Sequence, residues 1–118
     1  MDASEFMGSG RRFEGKAMIF VGPKKTTDTL LWVWGRIMPD PIAWVDLDRL
    51  HELPAFYQSV VCKAGVLDRA ALNPQTRQAL LDRLMDGTRM LIAAERVDPD
   101  ALGPLNNRLI ILPMCTVN

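Results

Sequence analysis

Histidine and cysteine are nearly missing from this chain of 118 residues, which holds one histidine and two cysteines. With His51 standing alone, a multi-histidine metal site is excluded and any histidine base would have to be this residue. Cys62 and Cys115 are too few for the disulfide framework that staples small secreted domains. The sequence leaves a Cys62–Cys115 bridge open, and the plainer reading of both is a reduced thiol packed as a small apolar side chain. A surplus of charge of one sign is missing too, because 14 Lys and Arg stand against 14 Asp and Glu. No bulk positive field therefore draws the chain to nucleic acid or to an anionic membrane surface. Nor is there an apolar run of about 18 residues or an apolar stretch near the first residue. Neither a membrane span nor a secretion signal is predicted, and the expected location is cytoplasmic.

What is present suits a folded domain. Hydrophobic residues make up 48% and charged residues 24%, outside the regime of disorder. Residues 1–15 mix glycine, serine and arginine with scattered apolar positions and read as a flexible N-terminal arm, leaving 16–118 as a single globular domain. Ala17 to Val21 (AMIFV) is a short apolar run closed by Gly22 and Pro23 and reads as a buried strand. Thr29 to Ile37 fits either a strand with Leu30, Trp32 and Trp34 on one face or a helix grouping Leu30, Val33, Trp34 and Ile37. Its threonine, valine and tryptophans favour the strand.

Asp40-Pro41, Asn73-Pro74 and Asp98-Pro99 each place a capping side chain before a proline, the pattern of a helix start. After Asp40, the spacing of Ala43, Trp44, Leu47, Leu50 and Leu53 predicts an amphipathic helix near 41–53. Phe56, Tyr57, Val60, Val61 and Ala64 extend the period over 54–64. Asn73 opens a helix over 74–86 with Leu80, Leu81, Leu84 and Met85 as its stripe. Whether that helix ends at Gly87 or runs on to Val97 stays open, since an internal glycine costs only about 1 kcal/mol. Arg108 to Leu112 reads as a closing strand. The expected fold is α+β and helix-dominated, with an N-terminal strand pair, three to four helices and a short C-terminal strand; the alternative is all-α.

Candidate chemistry is sparse. Gly10 to Ala17 (GRRFEGKA) matches the G-x4-G-K core of a phosphate-binding loop. It carries alanine where the metal-binding hydroxyl belongs, and it precedes a strand instead of following one. His51 and Cys62 would lie about 16 Å apart on one helix, beyond reach of each other. A zinc site from Cys62, Cys115 and His51 lacks the usual ligand spacing. Asp46, Asp48 and Glu52 gather carboxylates, which beside Arg49 read more simply as a solvated face. The basic residues Arg11, Arg12, Lys16, Lys24 and Lys25 are a weak nucleic-acid signal.

The expectation from sequence is therefore a non-catalytic regulatory or adaptor protein that masks or inhibits a partner protein through a helical apolar face. No cofactor, membrane or nucleic-acid partner is called for, and a homodimer is expected. The partner-binding candidates are Leu80, Leu81, Leu84, Met85, Met90 and Leu91, with Trp32 and Trp34. A small enzyme or nucleotide-binding protein is the alternative, and a DNA-binding regulator the third.

Overall fold

The computed structural model describes residues 16–38 and 40–113. The chain runs β1 (Ala17–Val21), α1 (Lys24–Ile37), β2 (Ile42–Asp46), a 3-10 helix (Leu47–Glu52), β3 (Ser59–Leu67), α2 (Pro74–Met85) and β4 (Arg89–Val97). It closes with a short α3 (Pro99–Leu102), a second 3-10 helix (Gly103–Arg108) and β5 (Leu109–Pro113). The five strands form one sheet in the order β2-β3-β4-β1-β5, and every pair is parallel. The helix-dominated α+β expectation is thus overturned by a mixed α/β fold on a parallel sheet.

The reason lies in how parallel strands read. Buried on both faces, they appear as continuous apolar runs without the alternation that marks a half-exposed strand. In β4 the five residues Met90–Ala94 are all buried, and so are Ser59–Cys62 at the start of β3. Such runs match a buried helix as well as a buried strand. Residues 54–64, expected as a helix, supply a loop and then the first half of β3. The helix opened by Asn73 stops at Met85, and Gly87 (φ 83°) makes the left-handed turn into β4. Of the two continuations left open for this segment, the one helix to Val97 does not form, and residues 89–97 are a strand.

The remaining corrections are matters of tertiary context, among them the helix expected near 41–53, which gives β2 and a 3-10 helix instead. Residues 29–37, expected to be a strand, belong to α1, where Thr27, Leu31 and Trp34 recur at helical spacing and are buried. The expected pairing of residues 17–21 with 29–37 therefore does not form, and β1 lies between β4 and β5. Of the three capping pairs, Asn73 accepts a bond from the Thr76 N–H at 2.9 Å and Asp98 one from Asp100 at 3.0 Å, so both open helices. Asp40 does not. Its carboxylate receives the Arg89 guanidinium, and Pro41 leads into β2, an edge strand whose entry tolerates a proline. Replacing Asn73 with alanine is expected to lower stability by about 1 kcal/mol, measured as a shift of the urea midpoint at unchanged slope.

Alternate residues of the strands build two cores. Ala17, Ile19, Val60, Cys62, Met90 and Ile92 pack on one face against Leu80 and Leu84 of α2, Leu47 and Leu50, and Leu102 and Leu105. Met18, Phe20, Val61, Leu91 and Ala93 face the other way, against Leu31 and Trp34 of α1. Thus α1 is the one helix of the second face among the described residues. A helix about 10–12 Å across spans roughly two strands at about 4.8 Å spacing. It covers the middle of the sheet and leaves β2, at the edge, partly bare.

Arg83 ties α2 to the chain before β3. It is only 8% exposed. Its guanidinium donates to the carbonyls of Tyr57 (2.9 Å), Leu53 (2.8 Å) and Pro54 (2.7 Å), fixing the crossover from the first 3-10 helix into β3.

Candidate functional site

In a sheet of parallel strands, all the carboxyl ends lie at one edge, and ligands bind there, where neighbouring strands send their connections to opposite faces. Here that point lies between β1 and β4. The chain leaves β1 through α1 on one face and leaves β4 through α3 and the second 3-10 helix on the other. A crevice of about 210 Å³ opens beside it. Its walls are Lys24, Thr27, Asp28 and Leu31 of α1, Asp46 at the end of β2, Lys63, Ala64 and Gly65 of β3, and Ala93, Ala94 and Glu95 of β4.

The amino end of α1 forms its lip. Gly22 and Pro23 make a two-residue turn from β1 into the helix, so the first turn of α1 sits at the strand ends. Pro23 provides no side-chain cap, and there is no acidic residue in the first turn. Lysines occupy the first two helical positions instead, against the positive end of the helix dipole. Lys24 donates to Asp28 at 2.8 Å. This bond and the charge of Asp28 raise the Lys24 pKa, and the bond from Lys24 lowers that of Asp28, so both stay ionised at neutral pH. Lys25 has no such partner among the described residues.

From the lip, a groove of about 530 Å³ continues between α1 and the bare edge of the sheet, sharing Lys24, Asp28, Leu31 and Lys63 with the crevice. Trp32, Gly35 and Arg36 of α1 face Trp44 of β2 across it. Both indoles are open, Trp32 at 60% and Trp44 at 51%. Each carries a cation: the Arg36 guanidinium lies 4.4 Å from the Trp32 ring centre and the Lys63 ammonium 5.4 Å from that of Trp44. Trp44 owes its place to the register Trp44↔Val61, on the face that α1 covers only in part.

No family model, curated protein or solved structure matches the chain. The residues themselves therefore carry the assignment.

Most residues singled out from sequence lie elsewhere. Trp34, Leu80, Leu84, Met90 and Leu91 are buried in the two cores, and Leu81 is half-buried. Met85 is 73% exposed on α2, on the opposite face of the sheet from Trp32. The eight thus form no common surface, and only Trp32 reaches the groove. Nor do His51 and Cys62 form a pair: the histidine is exposed on the first 3-10 helix, while the cysteine is fully buried in β3, its thiol pushed up to about 12 by desolvation. That thiol is unsuited to act as a nucleophile or ligand near neutral pH. Asp48 and Glu52 lie in the 3-10 helix, where Glu52 pairs with Arg49 at 3.0 Å, and Asp46 alone of that trio lines the crevice.

Residues 10–15 of the G-x4-G-K match, with Arg11, Arg12 and Cys115, lie outside the described residues. Its last two positions, Lys16 and Ala17, enter the amino end of β1, the opposite edge from the crevice. Among the described residues no group of three or more His, Cys, Asp or Glu is placed to hold a metal ion, and no helix is long and apolar enough to cross a membrane. In the sequence Lys24 and Lys25 stand out only as part of a diffuse basic cluster, and nothing local marks Lys63 or Glu95. With α1 following β1, the pattern strand, Gly22-Pro23, Lys24-Lys25 is the signal that points to the lip.

Proposed function

We propose that the chain binds a small phosphate-bearing ligand at the carboxyl edge of its parallel sheet. This replaces the adaptor reading, whose helical masking face is absent, with the nucleotide-binding alternative. The observation that carries it is the amino end of α1, where the first turn holds no acidic residue or side-chain cap: Lys24 lines the crevice, and Lys25, which unlike Lys24 has no ion-pair partner among the described residues, lines the adjoining depression with Lys24, Asp28, Thr29 and Trp32. Cations at the positive end of a helix repel it unless an anion sits between them, and free N–H groups there are ready donors to phosphate oxygens. Lys63 and Lys24 in the crevice face Asp28, Asp46 and Glu95, so the anion belongs at the lip and the less charged part of the ligand further in.

Inorganic tripolyphosphate is the direct probe. Isothermal titration of the full chain at low salt is expected to show binding that weakens as salt is added. Lys24→Glu together with Lys25→Glu is expected to weaken it at least tenfold while the far-ultraviolet circular dichroism stays unchanged, since both side chains are exposed. Absence of binding at millimolar tripolyphosphate, or equal binding by the double variant, would refute the proposal.

A further inference from the structure

The groove beside the lip has the features of a base-stacking site, and we infer that the ligand is a mononucleotide whose base lies on Trp32 and Trp44. The inference rests on the reading of the α1 lip as a phosphate site and names the ligand class. Three kinds of chemistry lie on adjoining depressions that share Lys24 and Asp28. Lys24 and Lys25 at the helix start suit phosphate. Asp28, Asp46 and Glu95 in the crevice offer carboxylate oxygens, which accept hydrogen bonds from hydroxyls such as those of a sugar. Trp32 and Trp44 then present two half-open indoles across the groove.

Charge separates this surface from an ordinary apolar patch. The groove lining carries Lys24, Arg36 and Lys63 against Asp28 alone, and two of the three cations lie over the indole rings. Each indole keeps about half or more of its surface exposed for a flat ring, and the cations beside the rings complement the negative charge the ligand brings. An apolar peptide would gain nothing from these cations. The dimensions agree as well: Lys25 and Trp32 are seven residues apart on α1, about 10 Å along its axis, which is within the span between the phosphates and the base of a nucleotide. The groove's 530 Å³ is within the ordinary range of small-molecule sites.

Tryptophan fluorescence tests it, because Trp34 is buried in the core and Trp32 and Trp44 are the exposed emitters. Titration of the full chain with ATP is expected to quench emission, and ATP is expected to bind at least tenfold tighter than tripolyphosphate. Trp32→Ala and Trp44→Ala should each weaken ATP about tenfold and leave tripolyphosphate binding unchanged. Equal affinity for ATP and tripolyphosphate, or ATP binding indifferent to both tryptophan variants, overturns the inference while leaving the phosphate site standing. Failure of tripolyphosphate alongside tryptophan-dependent quenching by adenosine removes the phosphate site and supports the base site. An oligodeoxyadenylate that binds tenfold tighter than ATP with the same tryptophan dependence overturns the mononucleotide in favour of a single strand.

Discussion

Leu84→Asp is expected to leave the chain without a cooperative unfolding transition. Leu84 lies on α2 in the core between that helix and the sheet, together with Leu80, Ile92 and Leu102. Truncating such a leucine to alanine costs about 2–5 kcal/mol, and aspartate adds the cost of taking a carboxylate out of water into an apolar core. The sum approaches the whole stability of a domain this size, about 5–15 kcal/mol. Circular dichroism should show lost helix and strand, with a flat thermal trace. A folded, monomeric Leu84→Asp protein would show that α2 does not pack on the sheet as described. The same substitution cannot report on a partner surface, because the side chain is not on one.

Arg83→Met should be less damaging than Leu84→Asp but still strongly destabilising. It keeps the aliphatic length and removes the donors to Leu53, Pro54 and Tyr57. Bonds from a charged donor are worth about 1.5–3 kcal/mol each, and water at the surface of the loop restores part of the loss, so about 2–4 kcal/mol is expected. Arg83→Lys should fall between, since an ammonium lacks the planar fork that reaches several carbonyls at once. Beyond the drop in melting temperature, amide exchange should quicken selectively over residues 53–59, where the guanidinium holds the backbone. Exchange that quickens evenly over the whole chain would show Arg83 to be a general core residue and not a strap on this crossover.

Some of this architecture was legible from local chemistry. AMIFV closed by Gly22-Pro23 is a strand, Asn73-Pro74 caps a helix that ends at Met85, and the apolar run after Arg108 is a strand. In each case the signal is contained within a few residues: a cap bonded three positions on, or a turn that the next residue cannot avoid. The same local logic failed at Asp40-Pro41 because Arg89, 49 positions away, claims the carboxylate. It failed at Thr29–Ile37 because burial of Leu31 and Trp34 against Phe20 and Leu91 outweighs the strand preference of threonine and valine. The site suffered the same fate. Trp32 and Trp44 were visible as aromatic residues, but their meeting across a groove depends on the pairing of β2 with β3 and on where α1 crosses the sheet.

By itself, then, the sequence determined the elements whose cues are short-range, the absence of a multi-histidine metal site, and the absence of a net charge. The tertiary structure alone decided that the buried runs are parallel strands, because a run apolar on every side suits a covered strand and a buried helix equally until its neighbours are known. It also decided the site. Gathering the strand ends at one edge is a property of topology, and Lys24, Asp46, Lys63 and Glu95, spread over four elements, come together only because the strands carrying three of them run in the same direction beside the start of α1.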